Sequence, residues 1–485
     1  MEWPPGPYEY AMFALLAMTI PIQRFLTRDE VHMRVPLRGL LDEIRDKGYW
    51  WHIALYALMF IYKALIDHHN EPMKARVGGY THWIHDIEGD WTLWVQETFY
   101  NDLLTDLLSA HYLFMYLFII WFSPMYYILS RDEVMADKAA LNYFVIYLLA
   151  VPLYLFFNIE VTSSFIPGME APLYHDDFTL AFFTSHDPMD NAVPSLHIGL
   201  PISLLILNRL HCRSLGIDIK DWRHREFDLF ILVNIGIYAF SILYLGIHWV
   251  VDIIPGIILA IVCAAFCHAV QPIVRETALA DWRNLLPDRQ QTIFAAVSVV
   301  LFSGVLIFGA IDGPGADEDV PNYRLGPGDF IIDTVEVHSL SHPVSVEISN
   351  VGESIPDMTG PAPSCIIVKR SDVIYAFDRG QFKEGYDYYD LDDYSINANH
   401  YLVPGVTFEA QVETSSIFDK HLIICQSPEV VSELRITMHY VDDELMWSAL
   451  LSSWPSFIIF GIAVEGLIYR SKQIEGDDIA DVDSR

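Results

Sequence analysis

Lysine is scarce in this chain of 485 residues: only nine of its 29 cationic side chains are Lys, set against 63 Asp and Glu for a formal net charge of −34. Such a surface excludes nucleic acid as a natural partner, because binding a phosphate backbone needs cations. It suits a protein kept hydrated in concentrated salt, and a halophilic source is expected, although an acidic partner-binding face would give the same count. Cations are also missing locally, with no Lys or Arg in 139–208 or in 226–274. Of five cysteines, Cys212, Cys263 and Cys267 fall in or beside apolar stretches and read as apolar fillers, which leaves Cys365 and Cys425 as the disulfide candidates. There is no internal repeat, no low-complexity segment beyond the acidic tail Glu475–Asp483, and no glycine-rich phosphate loop, so nucleotide chemistry is not expected. The stretch Tyr8–Phe25 lacks a basic start and a small-residue cleavage site and does not read as a cleaved signal.

What the chain has in abundance is apolar length. Hydrophobic residues make up 53% of it and the mean hydropathy is +0.28, the composition of a multi-pass membrane protein. Apolar windows at 8–26, 49–66, 110–130, 140–160, 195–210, 228–247, 250–270, 291–312 and 447–469 predict about nine spans. The first contains Pro21 and Gln23 and could instead lie on the membrane surface. With the N-terminus outside, segments 24–48, 131–139, 211–227, 271–290 and 470–485, plus Arg209, hold 19 of the 29 cations, as expected of cytoplasmic loops. The basic stretch 24–48 predicts an amphipathic helix on the inner leaflet.

Two short stretches carry chemistry. Asn191-Ala192-Val193-Pro194-Ser195-Leu196-His197 opens an apolar run, so Pro194-Ser195 marks a helix start whose free amides suit an oxyanion. Some fifty residues on, Tyr244-Leu245-Gly246-Ile247-His248-Trp249-Val250-Val251-Asp252 places His248 and Asp252 four apart, on one helical face, where a carboxylate orients an imidazole. One histidine could attack phosphorus while the other protonates the leaving oxygen. Gly246 and Gly256 read as sites of close helix packing.

Pro-Ser-x-His followed by His-x3-Asp resembles the second and third signature motifs of the type 2 phosphatidic acid phosphatase superfamily. Ala-Val-Pro-Ser-Leu-His and Tyr-Leu-x-x-His-x-x-Val-Asp are most similar to its branch of inositol phosphorylceramide synthases and inositolphosphotransferases, over roughly residues 50–270. The resemblance implies a helical membrane core. It also implies His248 as the nucleophile that becomes phosphohistidine, Asp252 as its support and His197 as the acid, with no metal and no other cofactor. The family's first motif, with Lys and Arg-Pro, is absent, and the Arg six residues before the nucleophile is Ile242, after Ser241. Phosphate must then be held by Lys74 and Arg76 of the first outer loop, the helix start at Ser195–His197, protonated His197 or a bound metal. Loss of activity is the other reading of the same absence. Asn191, Ser195 and Leu196 are further candidate substrate contacts, and Ser195 either caps its helix or donates to phosphate.

The aromatic and acidic loop 67–109, with Trp83, Trp91, Trp94, Asp86, Glu88 and Asp90, predicts a helix at headgroup level that could roof the site. Residues 161–193, including His175 and His186, read as a wall of the pocket. Stretches of period two at 330–337, 344–348, 406–412 and 434–440 predict a β-sandwich of about eight strands within 313–446. The expected organisation is therefore 1–48, an N-terminal span with a basic segment; 49–275, the catalytic membrane domain; 276–312, a linker and span; 313–446, the sandwich; and 447–485, a last span with an acidic cytoplasmic tail. Parity of the spans places the histidines and the sandwich outside the cell membrane. The expected function is a lipid phosphatase or phosphotransferase acting on a phospholipid or polyprenyl (di)phosphate at the outer leaflet. A headgroup transferase, a metal-binding membrane protein using His197, His248 and Asp252, and a receptor or scaffold presenting the sandwich are the rivals. The ligand of the sandwich is not legible.

Overall fold

The computed structural model describes residues 7–62, 79–170, 172–175, 191–280, 288–311, 322–336, 343–352, 362–373, 391, 393–413, 420–427, 431–439, 461, 464 and 466. Its helices are α1 (Pro7–Leu26), α2 (Leu40–Asp46), α3 (Trp50–Tyr62), α4 (Thr81–Glu88), α5 (Trp91–Phe99), α6 (Asp102–Leu129), α7 (Glu133–Phe156), α8 (Thr162–Phe165), α9 (Pro172–His175), α10 (Leu196–Leu215), α11 (Arg225–Tyr244), α12 (Val250–Ala280) and α13 (Arg289–Ile311). A helix lies on every predicted apolar window but 447–469, nearly all of which falls outside the described residues.

Among the described residues, four helices, α6, α7, α11 and α12 as far as Glu276, are long and apolar enough to cross a membrane, fewer than the nine windows suggested. The apolar helices Tyr10–Leu26, Trp50–Tyr62 and Arg289–Phe302 are shorter. Helix α10 falls out for a physical reason: it carries His197, Asn208, Arg209, His211 and Arg213, and most of its side chains are buried within the bundle. Leu196, Ile198, Leu200, Leu204 and Leu207 are all buried, and Asn208 accepts from the Tyr127 hydroxyl at 2.7 Å and donates to Asp228 at 2.9 Å.

Helices α6 and α7 start well before their apolar windows because polar residues cap them. The Asn101 side chain accepts from the Leu104 amide and Asp132 from the Met135 amide, each at 3.1 Å. The basic stretch 24–48 is not the single amphipathic helix expected. The end of α1 reaches Leu26, Pro36 precedes one of two 3-10 turns, Val31–Met33 and Leu37–Gly39, and beyond α1 only Leu40–Asp46 is α-helical. Helix α1 is held along α6, where Trp121 Nε1 donates to Thr19 Oγ1 at 3.0 Å and Gln23 Nε2 to Ser130 Oγ at 3.1 Å.

Successive long helices run in opposite directions, so the bundle has two chemically different ends. One end gathers charge. Asp137 accepts from Arg275, Gln271 and His52, while Arg275 also pairs with Glu133. Lys138 Nζ lies 3.0 Å from His268 Nδ1 and 3.4 Å from His211 Nδ1, and Arg209 forks onto Asp228. Asp132 accepts from Arg223 at 2.6 Å and lies 3.1 Å from His224 Nε2. Burial raises the Asp132 carboxyl, but the hydrogen bonds and charge of His224 and Arg223 outweigh it and hold the group well below the usual carboxylate range. His224 is lowered by burial, with Asp132 pulling the other way.

These two shifts act in the same sense. A depressed carboxyl stabilises the fold above its unfolded value of about 3.9 and loses that as pH falls toward the folded value; a depressed imidazole does so above about 6.5. Thermal stability is therefore expected to fall in two stages on acidification, first through His224 below about pH 6.5 and then through Asp132 below about pH 4. Asp132→Asn should cost on the order of 2 kcal/mol at neutral pH by stranding Arg223 and His224. Thermal unfolding in detergent checks both, and an unchanged midpoint in the variant would remove this cluster from the fold's stability.

The polar region forms two four-stranded antiparallel sheets. In chain order the strands are β1 (Asn322–Leu325), β2 (Asp329–Glu336), β3 (Val344–Asn350), β4 (Ser364–Lys369), β5 (Ser395–Asn399), β6 (Thr407–Val412), β7 (Lys420–Ser427) and β8 (Ser432–His439). The sheet orders are β1-β8-β3-β6 and β2-β7-β4-β5. The alternation in β3, with Val344, Val346 and Ile348 inward, meets Val335, Ile367 and Ile423 of the other sheet in one core, which makes this a sandwich. Cys365 and Cys425 face each other across β4 and β7 and are disulfide-bonded.

Candidate functional site

At the other end of the bundle α10 and α12 cross at their first turns, and glycine makes the crossing possible. A Cβ on Gly256 would stand 2.7 Å from the Ser195 carbonyl oxygen, and one on Gly199 would stand 3.0 Å from the Gly256 carbonyl oxygen. The Ser195 amide reaches toward the Asp252 carbonyl at 3.5 Å. The two motifs are thereby brought together: the rings of His197 and His248 lie 5.9 Å apart between centroids.

His248 ends a turn that Gly246 permits, with φ +73° and no room for a Cβ, which would stand 2.7 Å from Ser163 Cβ. Its Nδ1 lies 3.3 Å from Asp252 Oδ2, which also accepts from the Trp249 amide at 2.8 Å. One carboxylate oxygen thus orients the imidazole and caps α12 at once, leaving His248 Nε2 with no protein partner among the described residues. Asp252 Oδ1 is buried and unpartnered among the described residues. Trp249 Nε1 donates to the Glu160 carbonyl at 2.8 Å, fixing the turn from behind.

His197 has a different setting. Its ring stacks on Tyr112 at 4.0 Å and lies against Tyr116 at 4.2 Å, and its Nδ1 is 3.1 Å from the Tyr112 hydroxyl. Tyr116 in turn meets Tyr147, hydroxyl to hydroxyl, at 2.8 Å. Ser195 does not cap α10 with its side chain, and its Oγ is buried without a partner among the described residues. Asn191 bridges to Ile159 through its backbone, and its Oδ1 is likewise unpartnered. The Leu196 side chain packs into the helical core, so its backbone amide is what it can offer a ligand. Lys74, Arg76 and His186 lie outside the described residues.

Among the described residues of the loop 67–109 that precede α6, two short helices stand in place of the one expected, broken at Gly89 with φ +63°. Trp83, Ile87, Trp91 and Trp94 are exposed on them, while Thr81, Ile84, Val95 and Gln96 face inward. Gln96 Nε2 donates to the carbonyls of Glu170 and Tyr244, each at 2.9 Å, which ties α5 to the loop before the site and to the end of α11. Glu88 reaches the site itself. Its Oε2 accepts from the Val251 amide at 3.0 Å, its Oε1 is buried and unpartnered, and burial raises its carboxyl against the lowering effect of the Val250 and Val251 amides. Glu88→Ala should cost about 1 kcal/mol as a lost helix cap, and Glu88→Gln, which keeps an acceptor oxygen, less than half of that. Equal losses in thermal unfolding would show that the carboxylate does not act through the Val251 amide.

Among the described residues, no Lys or Arg is hydrogen-bonded or ion-paired to His197, His248 or Asp252. Arg209, one of the nearest along α10, is twelve residues beyond His197, about 18 Å at helical rise. Nor is any group of three or more His, Cys, Asp or Glu among the described residues arranged to hold a metal ion. The site offers two imidazoles, one of them braced by a carboxylate, the open amides of a helix start and several unpartnered oxygens.

Sequence reasoning pairs His197, His248 and Asp252 but misses the partners that come from far away. Tyr112 and Tyr116 sit in α6 with no local motif to mark them, and in the sequence Glu88 is only one acid of an aromatic lid. No family model matches the chain, and neither a curated protein nor a solved structure matches it.

Proposed function

We propose that this chain is a divergent member of the type 2 phosphatidic acid phosphatase superfamily. On this reading it is a multi-pass membrane enzyme that removes or transfers a phosphoryl group from a phosphorylated or diphosphorylated lipid at the outer leaflet. The observation that carries the reading is the pairing of His248, oriented by Asp252, with His197, their ring centroids 5.9 Å apart where two helix starts cross. His248 Nε2 attacks phosphorus. The bond from phosphorus to the leaving oxygen breaks, and His197 Nε2–H gives that oxygen its proton. Water or an alcohol then attacks the phosphohistidine, the P–N bond breaks, and the proton of the incoming oxygen returns to His197 Nε2.

The amides at the start of α10 and the buried Ser195 hydroxyl take the part of the missing arginine, joined by Lys74 and Arg76 of the first outer loop. Sidedness is supported by the separation of the ends: Arg209, Arg223, Lys138 and Arg275 cluster away from the histidines, as cytoplasmic cations do. The Cys365–Cys425 disulfide suits a sandwich on the oxidising side, with the tail inside.

Transfer to an alcohol, as in an inositolphosphotransferase-like enzyme, is favoured over hydrolysis by the unpartnered acceptors Asn191 Oδ1, Asp252 Oδ1 and Glu88 Oε1, which suit a ligand rich in hydroxyl donors. The test is phosphate release from a short polyprenyl diphosphate and from a phosphatidate-type lipid, in detergent and high salt, with and without an added polyol. Release without polyol marks a phosphatase, and a phosphorylated polyol marks a transferase. Neither product from the full chain would sink the enzymatic reading and leave a membrane-anchored scaffold, for which removal of 313–446 should abolish partner capture.

A further inference from the structure

At the end of the bundle away from the paired histidines, most cations are matched by carboxylates. Arg209 pairs with Asp228, Arg223 with Asp132, Arg275 with Asp137 and Lys47 with Glu133. Lys138 is different. It is only 3% exposed, and among the described residues no carboxylate lies within ion-pairing distance of its ammonium. Its polar neighbours are two imidazole nitrogens, His268 Nδ1 at 3.0 Å and His211 Nδ1 at 3.4 Å. The three side chains come from three helices, α7, α10 and α12. His211 is fourteen residues beyond His197 on α10, about 21 Å at helical rise, so this cluster is separate from the site already described.

We propose that Lys138, His211 and His268 form a binding site for a phosphate oxyanion, supplied by the headgroup of an anionic phospholipid in the leaflet at this end. A charged ammonium has donors only, so both Nδ1 atoms accept from it and each imidazole carries its proton on Nε2. Three N–H groups are then left with no protein acceptor among the described residues: the third of Lys138 and the Nε2–H of each ring. Neutral imidazoles accept hydrogen bonds but bring no negative charge, and a buried cation is costly until an anion offsets it. An oxyanion supplies both the missing charge and the missing acceptors, and its hydrogen bonds to an ammonium are of the strong, charge-assisted kind. His268 is half-buried on α12, so the cluster is open on one side. Basic pockets between membrane-spanning helices at the cation-rich end take lipid headgroups in this way.

The test is thermal unfolding of the full chain in maltoside micelles, which contain no phosphate. Phosphatidylglycerol is the probe, diacylglycerol is the same apolar body without the phosphate, and inorganic phosphate, matched in ionic strength with chloride, is the free anion. The midpoint should rise by about 3 °C or more with phosphatidylglycerol over diacylglycerol. Lys138→Met, which keeps the length of the stem, should lose that rise. His268→Ala should need about tenfold more phospholipid for half of it, the worth of one hydrogen bond to an anion. Lys220→Met removes an exposed cation at the same end and should keep the rise whole. An equal rise in Lys138→Met, or its loss in Lys220→Met as well, would mark general charge attraction and overturn the site. No rise in the native chain with either phosphate probe would also overturn it. Where Lys138→Met does not fold, His268→Ala decides, and an unchanged lipid dependence there sinks the proposal. A rise with inorganic phosphate as large as with phospholipid, and lost in Lys138→Met, keeps the oxyanion site and makes free phosphate its source.

Discussion

Alanine at position 248 is expected to abolish turnover, by at least about 10⁴-fold, and to abolish the trapped phosphoenzyme as well. The expectation rests on what remains when that ring is removed. Asp252 keeps its hydrogen bond to the Trp249 amide, so α12 stays capped and the fold should persist. Neither Asp252 nor Glu88 can substitute as a nucleophile, because both have one oxygen committed to α12 amides and sit in a site with no described cation to offset a second approaching anion. His197→Ala should behave differently. It loses about 10²- to 10⁴-fold on alkyl phosphates but far less on substrates with good leaving groups, because the acid and not the nucleophile is gone. Rapid acid quench with a 32P-labelled lipid phosphate separates the two. Label on protein should appear in the native chain, accumulate slowly in His197→Ala and be absent in His248→Ala. Label retained in His248→Ala would place the covalent intermediate elsewhere and sink the assignment of roles.

How much of this is legible in the sequence depends on whether the interaction is local. His248 and Asp252 are four apart, so helical geometry alone predicts their pairing, and the observed 3.3 Å contact follows from it. The sandwich is legible because period-two alternation is a property of each strand by itself; the predicted 344–348 and 406–412 fall on β3 and β6, which pair in register. The number of crossing helices is not legible from hydropathy. That scale asks what a helix would do in lipid, and most of α10 is buried within the bundle, where Asn208 and His211 find partners. The helix starts are misplaced for a related reason: Asn101 and Asp132 are polar, so a hydropathy window excludes the residues that begin α6 and α7. The partners of His197 lie 85 residues away for Tyr112, and no pattern within either stretch announces a stacking contact. Glu88 is visible as an acid in an aromatic loop, but its use as a cap for α12 depends on a separation of 163 residues.

Gly256 supplies the strictest test of the site as a packed object. A side chain there begins 2.7 Å from the Ser195 carbonyl oxygen, a backbone atom that cannot rotate away, and that oxygen also accepts from the Gly199 amide at 2.9 Å in the first turn of α10. Leucine at 256 must therefore push α10 and α12 apart, and the cost should be about 3 kcal/mol or more. The displacement falls where the two motifs meet, so any folded fraction should turn over at least about 100-fold more slowly, the loss expected for a misplacement near 1 Å. Gly236 is the control: it lies exposed in α11, and a Cβ there meets nothing within 4 Å. Gly236→Ala should leave activity unchanged and raise stability by about 0.5–1 kcal/mol through helix propensity. Thermal unfolding and turnover measured side by side decide the matter. If Gly256→Leu folds with native stability and activity, the helices are not in contact at this point, and the closeness of His197 to His248 loses its structural basis.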